Sequence, residues 1–116
     1  MGIVLSKKYG GKIMCYLEIV RQYEHNPRNV HTVPTDGRTP RWFWVSVKGK
    51  QVYVSSGTTP YVNSNIRGQR LLKADELQDM ILLYQRRKRG EPVSVDASRI
   101  SQNQVYWYGI FYDLKL

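Results

Sequence analysis

The stretch Asp75–Gly90, DELQDMILLYQRRKRG, constrains this chain more than any other. Leu77, Met80, Ile81 and Tyr84 recur at helical spacing, with Leu83 on the flank of the stripe they form. Asp75 is placed to cap the helix, and Gln78, three residues on, to complete a capping box. Asp75, Glu76 and Asp79 crowd the first turns and Arg86, Arg87, Lys88 and Arg89 the last, so both ends complement the helix dipole. Gly90 is the stop, and Pro92 keeps the helix from resuming. A helix of this length, about 22 Å, is marginal alone in water and needs a surface to lie on. The β-rich remainder of the chain supplies one. The expected fold is α+β: an antiparallel or mixed sheet of four to six strands with one principal helix, about residues 74–89, packed on it.

The clearest β feature is Arg41–Ser56, where RWFWVSVK and QVYVSS flank Gly49 and Lys48 to Lys50 form the tip of a hairpin. Alternation puts Trp42, Trp44 and Ser46 on one face and Phe43, Val45 and Val47 on the other. On the second strand Val52 and Val54 oppose Gln51, Tyr53 and Ser55. The aliphatic face is expected under the principal helix, which leaves Trp42, Trp44 and Tyr53 on the opposite face beside a basic tip. Ile3–Leu5 reads as a first strand. The segment KIMCYLEIVRQY, residues 12–23, reads as a second from its β-branched and aromatic content. Its alternative is a helical stripe of Ile13, Tyr16, Leu17 and Val20. Residues 24–40, with three prolines and Asp36-Gly37, read as a long irregular loop, and loops of that length are often functional. Gly57–Arg70 is a polar loop leading into the helix. DASRIS reads as one helical turn, and QVYWYGIFYDLKL, apolar on both alternation faces, as a central strand.

At 116 residues the chain is expected to form one compact domain, residues 1–116. Its formal charge of +9 favours a polyanionic partner. The distribution sharpens that expectation. No acidic residue occurs between Asp36 and Asp75, an interval holding Arg38, Arg41, Lys48, Lys50, Arg67, Arg70 and Lys73 together with Trp42, Phe43, Trp44, Tyr53 and Tyr61. Cationic side chains neutralise phosphates, and unpaired bases gain about 1–3 kcal/mol each by stacking on aromatic rings. The expected function is therefore non-enzymatic nucleic-acid binding. Trp42, Trp44 and Tyr53 would stack, and Arg38, Arg41, Lys48, Lys50, Arg67, Arg70, Arg86, Arg87, Lys88 and Arg89 would grip phosphates. The alternative is a protein-interaction module whose aromatic patch meets an acidic partner.

Other chemistries are thinly represented. SVDASRISQNQVYWY resembles the bacterial helix-turn-helix pattern in Ala97, Ile100, Ser101, Asn103, Val105 and Tyr106, although about one helical turn is missing between Ser94 and Ile100. That resemblance implies a DNA-reading second helix over the Val-Tyr end. Asp113-Leu114-Lys115 has the acid-x-Lys spacing of some metal-dependent nucleases, which would need Glu91 or Asp96 to converge on it. His25 and His31 lack metal-ligand spacing and read as solvated loop residues, so no metal and no cofactor are expected. The single cysteine, Cys15, is compatible with a reducing compartment such as the cytoplasm. No apolar run approaches a bilayer-spanning length, and the first residues do not read as a secretion signal. MGIVLS matches a short acylation pattern that equally suits a strand.

Overall fold

The computed structural model describes residues 15–116. The expected strand at Ile3–Leu5 and the MGIVLS pattern lie outside the described residues. The elements run α1 (Tyr16–His25), β1 (Arg28–His31), β2 (Trp42–Lys48), β3 (Gln51–Ser56), β4 (Arg70–Leu72), a 3-10 turn (Ala74–Glu76), α2 (Leu77–Lys88), α3 (Ser94–Ile100) and α4 (Gln104–Asp113). The strands form one antiparallel meander in the order β1-β2-β3-β4. The fold is α+β, a four-stranded antiparallel sheet packed against helices, of which the described residues contain four.

The hairpin follows its alternation. Val45 faces Val54 and Val47 faces Val52 across the ladder, and Phe43, Val45, Val52 and Val54 are fully buried. Lys48 pairs with Gln51, so Gly49 and Lys50 alone make the turn, at φ +59° and +62°. Positive φ at both central residues is the type I′ geometry that suits the twist of paired strands. The aliphatic face is not covered by the long helix, however. α1 lies on β2 and β3, α4 lies on β1, and α2 packs behind them against α4 and α3. The helical side is thus two layers deep, while none of the four helices covers the other face.

Two segments with strand-like composition are helices. In residues 12–23 the helical alternative prevails from Tyr16 on, but with a rotated stripe. Ile19, Val20 and Tyr23 are buried, whereas Leu17 is 45% exposed. The Tyr16 hydroxyl accepts from Val52 N (2.8 Å) and donates to the Leu72 carbonyl (2.6 Å), tying the start of α1 to β3 and β4. The expected central strand at the carboxyl end is α4. Trp107, Tyr108, Gly109, Ile110 and Phe111 are buried between the sheet and α2, where a helix can be apolar all round. A short apolar run does not by itself separate a buried helix from a buried strand. Residue 109 has to be glycine for close approach: a Cβ there would stand 2.7 Å from the His31 carbonyl oxygen and 2.9 Å from the Phe43 ring. The long loop is also shorter than expected, because Arg28–His31 pairs with β2 as an edge strand.

The long helix keeps its expected stripe. Leu77, Met80, Ile81, Leu83 and Tyr84 are buried and Leu82 is 53% exposed. Its entry differs: Asp75 lies inside the 3-10 turn instead of at the N-cap, and neither N-cap residue, Lys73 or Glu76, uses a side-chain cap hydrogen bond. Its exit is a Schellman motif, with Glu91 N bonding the Arg86 carbonyl, Gly90 N bonding the Arg87 carbonyl, and Gly90 at φ +86°. Ile81→Ala is expected to lower the unfolding free energy by about 2–5 kcal/mol and Leu82→Ala by far less. Urea melts of the two variants check this, and equal losses would mean that the helix is seated on a different face. Among the described residues no helix is long and apolar enough to cross a membrane.

Candidate nucleic-acid interface

Cross-strand register determines which side chains share the face that none of the described helices covers. Trp44 lies between Asn29 and Ser55, Ser46 opposes Tyr53, Tyr53 opposes Leu71, and Trp42 opposes His31. Trp42, Trp44 and Tyr53 are all partly exposed there, and Lys48 continues the same row as an exposed residue. No outward side chain of the four strands is acidic.

The rings are not equivalent. Tyr61 lies over Trp42 at 4.3 Å between centroids and 30° between planes, and His31 meets Trp42 edge-on at 5.0 Å. Tyr112 stands 5.5 Å beyond His31. A row Tyr112–His31–Trp42–Tyr61 therefore joins the end of α4 to the loop after β3. That loop is held down by two reciprocal bonds between Asn29 and Thr58 (2.8 and 2.9 Å) and by Asn63, whose Oδ1 accepts from Trp42 N at 2.7 Å. Trp44 and Tyr53 have no ring partner among the described residues, and the Tyr53 hydroxyl donates to Gln51 Oε1 at 3.2 Å. Sequence reasoning missed His31 and, although it counted Tyr61 in the acid-free interval, left that ring out of the site. His31 is not a solvated loop residue but part of β1, half-buried, with Nδ1 2.9 Å from the Thr32 carbonyl.

The predicted cations fall into two groups. Arg41 precedes β2 and donates to the Asn63 carbonyl at 3.1 Å while remaining exposed. Lys50 at the tip has only a loose 3.9 Å contact with Glu24. Arg67 is exposed on the loop before β4. Arg38 is exposed and paired with Asp36 at 2.6 Å, and its hydrogen bond holds that carboxyl below its ordinary range. The second group lies on the helical side. Arg70 takes the inward register opposite Val54 and reaches Asn103 Oδ1 (3.3 Å) and the Tyr106 ring (5.8 Å). Arg86 binds Glu91 (2.9 Å) and Asp96 (3.4 Å), and Arg89 binds Glu91 (3.0 Å). Both arginines, Arg86 first, hold the Glu91 carboxyl below its ordinary range. Arg87 donates to the Val33 carbonyl (2.6 Å) and covers the Tyr108 ring, while Lys88 donates to the Leu116 carbonyl (2.9 Å). The basic helix end thus makes local and tertiary contacts, and only Lys88 among its four cations approaches the hairpin, lining one cavity with His31 and Trp42.

The competing sites have different geometry. α3 and α4 do form a helix pair joined by Ser101–Asn103, but α4 is wedged between sheet and α2 and so is not free to enter a groove. Asp113 Oδ2 accepts from the Tyr23 hydroxyl (2.6 Å) and from Arg28 Nη2 (2.6 Å) and Nε (3.1 Å), while Glu91 and Asp96 are held by Arg86. Among the described residues no group of three or more His, Cys, Asp or Glu side chains is positioned to hold a metal. Comparison of the chain with known protein families, curated proteins and solved structures gives no match in any of the three.

Proposed function

We propose that this protein binds nucleic acid through the sheet face that none of the described helices covers. The observation that carries this reading is a sheet face without acidic side chains, bearing partly exposed Trp42, Trp44 and Tyr53 and bounded by Arg41 at one end of β2 and Lys48 and Lys50 at the other. Arg67 extends the positive potential along the loop before β4, whereas the charge of Arg38 is offset by its pair with Asp36. Arg70, Arg86, Arg87, Lys88 and Arg89 are assigned to the helical side, where protein groups already engage them. Phosphate contacts of this kind make affinity strongly salt-dependent. The expected result of a titration against salt is a fall of about 0.7–0.9 log units in affinity per log unit of salt for each phosphate contacted. Absence of binding at low salt, to both single strands and duplexes, ends this reading. The second reading, an acidic protein partner, is favoured by the 43% exposure of Tyr61, which lies over Trp42, and the 62% exposure of Val62, the next residue of the same loop.

A further inference from the structure

Resting on the nucleic-acid reading, we propose that the ligand of the sheet face is a single strand rather than a duplex, with Trp44 and Tyr53 each taking one unstacked base. Width is the first argument. Four strands spaced about 4.8 Å apart span about 14 Å between the outer axes before side chains are added. The duplex major groove, about 12 Å wide, admits a helix or a two-stranded ribbon but not a face of this breadth.

Ring spacing is the second. Trp44 pairs with Ser55, so Tyr53 is its diagonal neighbour on β3. Diagonal side chains sit about 7–8 Å apart, roughly twice the 3.4 Å step of stacked bases. Two rings at that separation accept consecutive bases only from a strand whose bases have come apart. Trp42 takes no base in this arrangement, because Tyr61 already occupies its face.

Charge is the third. Arg41 and Lys48 lie at opposite ends of β2, about 23 Å apart along an extended strand, with the partly exposed Trp44 and Tyr53 between them. A single backbone running along β2 meets a cation at each end and turns its bases inward to the rings, as stacking platforms for single strands do.

The test is a pair of equilibrium titrations at low salt with a labelled single strand of about 12 nucleotides and the duplex of the same sequence. Wild type, Trp44→Leu and Tyr53→Leu are compared, with far-UV circular dichroism on each to establish that it is folded. The expected result is at least about tenfold tighter binding of the single strand, and a loss of about 5- to 150-fold on removal of either ring with little change for the duplex. Should Trp44→Leu not fold, Tyr53→Leu at the strand's exposed side carries the same comparison. Duplex binding as tight as the single strand, with its salt dependence kept, overturns this inference while leaving the nucleic-acid reading standing. Single-strand binding unchanged in a folded ring variant overturns the stacking role. Binding of neither probe removes both proposals together.

Discussion

Replacing Trp107 with alanine is expected to lower the free energy of unfolding by about 3–5 kcal/mol. The side chain is fully buried, lies 5.7 Å from the Phe111 ring in a stacked arrangement, and donates from Nε1 to Glu76 Oε1 at 3.1 Å. Truncation opens a cavity between α4 and α2 and takes the indole donor from a half-buried carboxylate at the entry to α2. Trp107→Phe helps to separate the two contributions, since it removes the hydrogen bond while keeping most, though not all, of the packing. Chemical denaturation of both variants is the measurement. A loss below about 1 kcal/mol for the alanine variant would show that the site collapses around the gap.

Asp113→Ala is the second large effect, expected at about 2–4 kcal/mol. Asp113 Oδ2 gathers three donors from two other elements, Tyr23 of α1 and Arg28 of β1, and the Arg28 guanidinium also lies 4.6 Å from the Tyr23 ring centroid. Removing the carboxylate leaves a phenol and a guanidinium largely out of solvent without their acceptor. Alkaline titration gives an independent readout. Burial first, and then the hydrogen bond to Asp113 and its charge, push the Tyr23 phenol far above its ordinary value near 10. The unfolded phenol ionises above that value while the native one stays protonated. The contribution is therefore complete below about pH 10 and is lost as pH rises beyond it. Burial raises Tyr16, Tyr84 and Tyr108 as well, so wild-type stability is expected to fall above about pH 10 through several groups. Asp113→Ala should make that alkaline fall shallower, because two causes of the Tyr23 shift go with the carboxylate. An unchanged slope would remove Asp113 from the account.

What was legible in the chain was local. The α2 stripe and the hairpin faces follow from spacings of three to four and of two residues, which set the residues that share a face without reference to distant parts of the chain. α4 was not legible, because Val105 to Tyr112 is rich in residues that favour strands and is apolar on every face. Only its place between two layers decides for a helix. β1 lies among prolines and asparagines and becomes a strand through pairing with β2 alone. The same distinction runs through the candidate site. Trp42, Trp44 and Tyr53 share a face by alternation, whereas the covering of Trp42 depends on Tyr61, nineteen positions away on a loop. The Arg86–Arg89 run announced its charge but not its partners, although Glu91 follows directly after the helix stop.

The two-residue turn at Gly49-Lys50 has a thermodynamic consequence for recognition. With no slack between β2 and β3, the tip lysines and the sheet rings hang from a single hydrogen-bonded ladder, and their relative placement is set before any ligand arrives. Ordering a mobile loop is a principal drain on binding free energy. For the proposed single-strand ligand, that entropy loss would fall on a few lysine rotamers and on the ligand, not on the protein backbone.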